Sequence, residues 1–318
     1  MIELVPPIYS ELSLDENLLV LVRNGIRVVH LTGVHYPFLS EREVLRIARE
    51  YSERGIRIYA GHAPGGNLAS LNEAEREKAL RRHREALHKL SLMGAEVMVL
   101  HGGIVERVED LHKAKEALLE SLRELVELAE LEGVRLAIEN DAIATTFPRP
   151  LLSWRGEVQR EIVDEVCSPW LGACLDTGHA NVFGNVKKHM EILGRRITAI
   201  HMHDNEGRAD QHMQPPYGTV DWEGFGEVLR DIGYESPIMI ESGPRGDAPI
   251  RRMLMECTAL LSDLGLISGT PLTLRVSRLV MGWDVDVRVQ CPRCGHYILY
   301  DGEKCTCACR EWPIKGTI

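Results

Sequence analysis

Apolar residues along this chain fall into two alternating patterns. Short runs such as IRIYAGH, EVMVLH, VRLAIE, LGACLD, ITAIH and SPIMIE read as strands, and each ends in a polar residue: His62, His101, Glu139, Asp176, His201 and Glu241. Between them lie longer stretches with apolar residues three and four apart, the spacing of amphipathic helices. The spacing predicts strands over 2–9 and 26–31, then strands ending at His62, His101, Glu139, Asp176, His201 and Glu241. Helices are predicted over 13–24, 40–54, 72–93, 108–132, 155–166, 186–193, 222–232 and 249–264. Ser13 suits a helix start, and Gly25, Gly55, Gly94 and Gly133 suit helix stops, because the left-handed cap position disfavours a Cβ.

Strict strand–helix alternation predicts an α/β fold. A doubly wound sheet would share this string, but eight units with polar residues at six successive strand ends favour a closed (βα)8 barrel, whose strand carboxyl ends meet at one mouth. Two connections leaving such ends, 141–154 and 204–221, exceed the usual few residues and are expected to shape the mouth. The pattern changes near residue 268. The division expected is a barrel over 1–267 and a small β-rich extension over 268–318, with strands over 272–281 and 284–290.

Length and composition are consistent with this plan. The 318 residues are 44% hydrophobic, enough for a large core. The formal net charge of -10 weighs against a nucleic-acid binder, whose footprint is normally basic, without excluding a local basic patch. The opening MIELVPPIYS lacks the basic and apolar regions of a signal peptide, and no apolar run is long enough for a membrane span, so a cytoplasmic location is expected. Of eight cysteines, Cys167, Cys174 and Cys257 stand alone in apolar contexts and are expected to be buried thiols.

Histidines and carboxylates at converging strand ends point to a metal, and the mixture suits zinc, manganese, iron or cobalt better than calcium. One histidine at a strand end is ordinarily a hydrogen-bonded structural residue; six donors together are not explained that way. Asp176 and His179 in LDTGHAN, and Asp210 and His212 in ADQHM, add local pairs. His201 and His203 alternate along one strand and can share a face. His201 ends the apolar run and is the preferred ligand, leaving His203 to bind substrate or cap the strand.

With GHAP, LHGG, AIEN, CLDTGHAN, HMHDN, DQHMQPPYGTVDW and MIES in this order over about residues 1–265, the chain resembles the xylose-isomerase-like TIM-barrel superfamily. That group includes sugar (phosphate) isomerases and epimerases and also endonuclease IV. The resemblance implies a metal held by Glu139, Asp176, His201 and Glu241, as in the epimerase branch. By resemblance to endonuclease IV, His62 and His101 hold a second ion bridged by Glu139, and His179, Asp210 and His212 a third. One to three ions are therefore implied, of manganese, zinc, cobalt or magnesium. Unlike endonuclease IV, the segment after His62 reads Ala-Pro-Gly65-Gly66-Asn67, with no bulky wedge to offset the cost of unstacking DNA.

The activity this implies is isomerisation or epimerisation of a sugar or sugar derivative. A proton moves next to a carbonyl through a metal-stabilised enediolate, with Glu139 and Glu241 as acid/base groups and ligands. His179, His203 and Arg208 are candidate substrate contacts, although Arg208 also reads as a solvated loop charge and Trp222 as a packing residue. The alternatives are zinc-dependent phosphodiester cleavage of abasic DNA and dehydration of a sugar or polyol. A homo-oligomer acting on a small-molecule sugar is expected, without a membrane partner. In the extension, Cys291-x-x-Cys294 with two of Cys305, Cys307 and Cys309 resembles a zinc ribbon, because so short a segment seldom buries enough core alone. Arg275, Arg278, Arg288 and Arg293 there leave nucleic-acid binding open.

Overall fold

The computed structural model describes residues 2–105, 107–141, 152–153, 155–242 and 250–267, together with the backbone of 299–300, 304–307 and 310–313. Eight parallel strands form one sheet: β1 (Leu4–Val5), β2 (Val28–Leu31), β3 (Arg57–His62), β4 (Val97–His101), β5 (Arg135–Glu139), β6 (Leu171–Asp176), β7 (Ile197–Met202) and β8 (Ile238–Ile240). From β2 to β8 each pairs with the next, and β1 pairs with β8. Between β1 and β2 a bridge from Pro7 to His30 completes the ring. The fold is a (βα)8 TIM barrel.

The helices α1 (Leu14–Asn24), α2 (Glu41–Glu53), α3 (Glu73–Leu92), α4 (Leu111–Glu132), α5 (Gly156–Val166), α6 (Thr177–Val182), α7 (Val186–Leu193), α8 (Trp222–Ile232) and α9 (Ile250–Asp263) surround it. Ser13 and Ser40 cap α1 and α2 through reciprocal bonds with Glu16 and Glu43, which satisfy otherwise unpaired amides of the first turn. The predicted glycine stops, Gly25, Gly55, Gly94 and Gly133, all have positive φ. No helix among the described residues is long and apolar enough to cross a membrane.

The period of two along each strand separates two cores. Outward residues such as Met98, Leu100, Ile138, Leu175 and Ile200 pack under the helices. Inward residues, including Ala60, Val99, Ala137, Cys174, Ala199 and Met239, fill the barrel. Two positions beyond each of these inward residues stand His62, His101, Glu139, Asp176, His201 and Glu241, so the pleat turns all six toward the mouth.

The structure corrects several expectations. Strand β1 has two residues rather than eight, because Pro6 and Pro7 have no N–H for a ladder. Strand β2 begins at Val28. The short helix α6 was not expected; Asp176 starts it by accepting the backbone N–H of His179 at 2.6 Å. Cys174 and Cys257 are buried as expected, but Cys167 is exposed, at the left-handed cap of α5 with φ 49°. The expected strands over 272–281 and 284–290 lie outside the described residues, as do Cys291, Cys294 and Cys309. In the extension, β9 (Leu299–Tyr300), β10 (Lys304–Cys307) and β11 (Arg310–Pro313) form an antiparallel sheet carrying Cys305 and Cys307 on its middle strand.

Buried Asn17 pins the chain leaving β1. Its amide donates to the carbonyls of Tyr9, Leu12 and Ser13 at 2.9, 3.0 and 3.1 Å and accepts from the Tyr9 N–H at 2.8 Å. Replacing it in Asn17→Leu strands these backbone groups and is expected to cost about 2–3 kcal/mol. The midpoint of denaturant unfolding reads this directly, and an unchanged midpoint contradicts it.

Candidate metal centre

Among the described residues, three groups of histidine and carboxylate donors meet at the mouth, with the ligand atoms of each group within 4.8 Å of one another. One is His62, His101 and Glu139; a second is Glu139, Asp176, His201 and Glu241; a third is His179, His203, Asp210 and His212. All nine residues singled out as metal donors fall into these groups, and His203 joins the third. Cys174 makes a fourth, overlapping group with Glu139 and His201, so Glu139 belongs to three of the four. Its Oε1 lies 2.7 Å from His201 Nδ1, and its Oε2 lies 3.2 Å from His62 Nε2 and 3.7 Å from His101 Nε2.

The imidazoles are oriented by fixed acceptors. His62 Nδ1 donates to the Ala63 carbonyl at 3.0 Å, His179 Nδ1 to the Asn140 carbonyl at 2.7 Å, and His212 Nδ1 to the Glu241 carbonyl at 2.9 Å. His101 Nδ1 donates to Asp141 Oδ1 at 2.6 Å, and Ser153 donates to the other Asp141 oxygen at 2.6 Å. A carbonyl can only accept, so in the neutral ring each Nδ1 holds the proton and each Nε2 presents a lone pair to the centre. Outer partners of this kind are what orient histidine ligands of metals. His201 is reversed, with Nδ1 toward Glu139 and Glu241 at 2.7 and 3.2 Å, and it lies close to the buried Cys174 thiol. Asp176 Oδ2 is buried without a hydrogen-bond partner, while its Oδ1 lies 2.9 Å from His203 Nε2. An unsatisfied buried acceptor is costly, and a cation beside Asp176 Oδ2 would satisfy it. The residues present therefore fit a divalent metal.

Electrostatics within the centre follow from this crowding. Burial opposes ionisation of Glu139, yet the charge and bond of His201, with His62 and His101, hold its carboxyl well below the usual range. Burial likewise opposes Asp210, but its bonds to His179 and His212 keep it well below that range. Desolvation opposes protonation of His101 and His212. For His101 the Asp141 bond and Glu139 charge outweigh it, and for His212 the Asp210 bond and Glu241 charge do, so both rings are pushed up to about 9. His101 is half exposed at the rim, where water screens part of this effect. His179 and His201 are also raised, against desolvation, by the carboxylates and, for His201, by Cys174.

The long β7–α8 connection places Asp210 and His212. Buried Asp204 anchors it: Oδ1 accepts from the N–H groups of Asn205 and Val220, Oδ2 accepts from Trp222 Nε1 at 2.9 Å, and its backbone exchanges two 2.8 Å bonds with Met213. Trp222 is thus a buried packing residue. His212 has φ 47°, a strained backbone for a residue with a side chain, of the sort that persists at functional sites. Arg208 lies exposed on this loop, outside the three groups. His203, considered above as a substrate contact, is fully buried: its ring stacks on His212 at 4.2 Å, and its Nε2 lies 2.9 Å from Asp176 Oδ1. Gly178 leaves the space for it, since a Cβ there would lie 2.0 Å from the ring.

Sequence reasoning missed His30, one strand earlier, which is buried with its ring centroid 5.9 Å from that of His201. Its inward position two residues after Val28 was the available signal. It also missed Asn140, whose side chain exchanges bonds with the Asp176 backbone at 3.0 and 2.7 Å.

This is a (βα)8 barrel whose mouth is lined by metal-ligand donors from successive strand ends. The family model for the xylose isomerase-like TIM barrel matches residues 20–256, and the chain belongs to that family. It is 32% identical over 223 residues to the uncharacterized protein MJ1311 of Methanocaldococcus jannaschii, covering 68% of this chain and 74% of that protein. A D-psicose 3-epimerase of Enterocloster bolteae is 27% identical over 64% of this chain and 67% of its own length. A probable endonuclease 4 of Aquifex aeolicus is 28% identical over 55% of this chain and 67% of its own length. The crystal structure of a D-tagatose 3-epimerase-like protein matches with a TM-score of 0.72 and 25% identity, covering 82% of this chain and 98% of that one.

The raised histidines predict how metal uptake depends on pH. In the metal-free centre, rings that titrate near 9 carry protons at neutral pH, and a cation must displace them. Zinc uptake is therefore expected to release protons near neutrality and fewer at about pH 10, with affinity rising across that interval. Calorimetry in buffers of different ionisation enthalpy measures this; equal release at both pH values contradicts it.

Proposed function

We propose that the chain is a divalent-metal-dependent isomerase or epimerase of a sugar or sugar derivative, acting by proton transfer at a carbon next to a carbonyl. The observation that carries this reading is the pair of carboxylates, Glu139 and Glu241, on the same His201 nitrogen at 2.7 and 3.2 Å, with Asp176 completing the group. These four residues would hold the ion. When bound, it supplies Lewis acidity that polarises a carbonyl and stabilises enediolate charge. Glu241 keeps 17% of its side chain exposed and faces arriving substrate, so it is the candidate for removing the proton. Glu139 is buried and held ionised; it is the candidate partner that accepts a proton on the other side of the exchange and returns it in the reverse direction. His179 and Arg208 are the proposed hydroxyl contacts. Relatives named as D-psicose and L-ribulose-5-phosphate 3-epimerases support the substrate class.

A second reading, zinc-dependent phosphodiester cleavage, is favoured by the assembly of all three donor groups and by the endonuclease 4 relative. Against it, a side chain on Gly65 would meet nothing within 4 Å, so no wedge stands there, and the net charge is -10. In the extension we propose a structural zinc on Cys291, Cys294 and two of Cys305, Cys307 and Cys309, in a separate unit over 268–318.

Glu241→Gln is expected to lower manganese-supported turnover on a ketose and aldose panel by about 10²–10⁴-fold with the fold intact by circular dichroism. Full turnover would remove Glu241 from the mechanism. Elemental analysis of the whole chain and of a chain ending at residue 267 tests the ion count. About one barrel ion, with one further zinc lost on truncation, supports the main reading. Three tightly held zinc ions in the truncated barrel, with cleavage of abasic-site DNA, support the second.

A further inference from the structure

The barrel closes where its strands are shortest. Strand β1 has two residues and β8 three, and β1 meets β2 only through the Pro7–His30 bridge. Pro6 and Pro7 cannot donate to a ladder, so this seam lacks the repeated backbone bonds that hold the other strands. His30 supplies three bonds there. Its N–H donates to the Pro6 carbonyl at 3.1 Å, and its own carbonyl accepts from Ile8 at 3.3 Å. Its side chain reaches past β1, with Nε2 donating to the Ile240 carbonyl at 2.9 Å.

Ile240 is the last residue of β8, and Glu241 follows it directly. The Glu241 N–H is bonded to the Met202 carbonyl of β7 at 3.0 Å, which fixes Glu241 from one side. The His30 bond fixes the preceding peptide from the other. The same ring lies against His201, with ring planes 30° apart. One buried side chain thus touches the approach to two residues of the same donor group.

We infer that His30 is a positioning residue for the Glu139, Asp176, His201 and Glu241 site: it anchors the end of β8 through the Ile240 carbonyl and so sets where the Glu241 carboxylate stands. The inference rests on the proposed metal-dependent reading of that site. A purely structural seam would alter stability alone, whereas a positioning residue alters the affinity of the site for its ion.

The test uses the full-length chain stripped of metal and titrated with Mn²⁺ by calorimetry, beside thermal melts of the metal-free protein. His30→Leu keeps bulk but removes the donor, and is expected to weaken Mn²⁺ binding about tenfold. His30→Gln carries an amide N–H able to reach the same carbonyl and is expected to recover most of that loss. If His30→Leu does not fold, His30→Asn replaces it, because its shorter amide cannot span to Ile240. Mn²⁺ affinity equal to wild type, with only a lower melting temperature, overturns the inference and leaves the metal reading standing. Equal losses in the leucine and glutamine variants assign the effect to the ring itself and overturn the route through Ile240. A wild-type chain that takes up no Mn²⁺ overturns this inference and the metal reading together.

Discussion

A carboxylate with 1% exposure inside a barrel is costly unless its charge is matched, and Glu139 is such a carboxylate. The mouth is arranged around that constraint. Histidines from β3, β4 and β7 approach its two oxygens, and Asp176 and Glu241 complete the group around His201. In the metal-free centre, the raised proton affinity of His101 and His201 compensates this negative charge. A divalent cation among the same groups would do so with greater charge density.

The precision of the centre comes from backbone that is itself held. Asn140 joins the ends of β5 and β6 through the Asp176 backbone, and its carbonyl orients His179. Asp204 fastens the loop that brings in Asp210 and His212, and the Glu241 carbonyl orients His212. Donors are thus tied to one another through carbonyls as well as through any shared ion. The strained backbone of His212 is tolerated because the loop on either side of it is overdetermined.

The small space around these groups also bears on substrate. Gly178 is required by the ring of His203, and a Cβ on Gly65 would meet only open space. A rim with glycine at position 65, on a chain of net charge -10, is consistent with the proposed small polyhydroxylated ligand rather than a nucleic acid.

Local patterns in the chain were sufficient for the strand ends and helix caps, because the pleat has a period of two and the helix a period of 3.6, and both are short-range properties. Val99 then His101, Ala137 then Glu139, and Ala199 then His201 each show the inward face before any contact is known. The tautomers, the reversed His201, the burial of His203 and the part played by His30 were not legible in this way. Each depends on a partner distant in sequence: His30 meets Ile240 across 210 positions, and His201 meets Glu139 across 62. The missed helix α6 and the exposed Cys167 have the same origin, since a cap or a surface is defined by what neighbours a residue in space. Periodicity states which face a side chain takes; closure of the barrel states what it finds there.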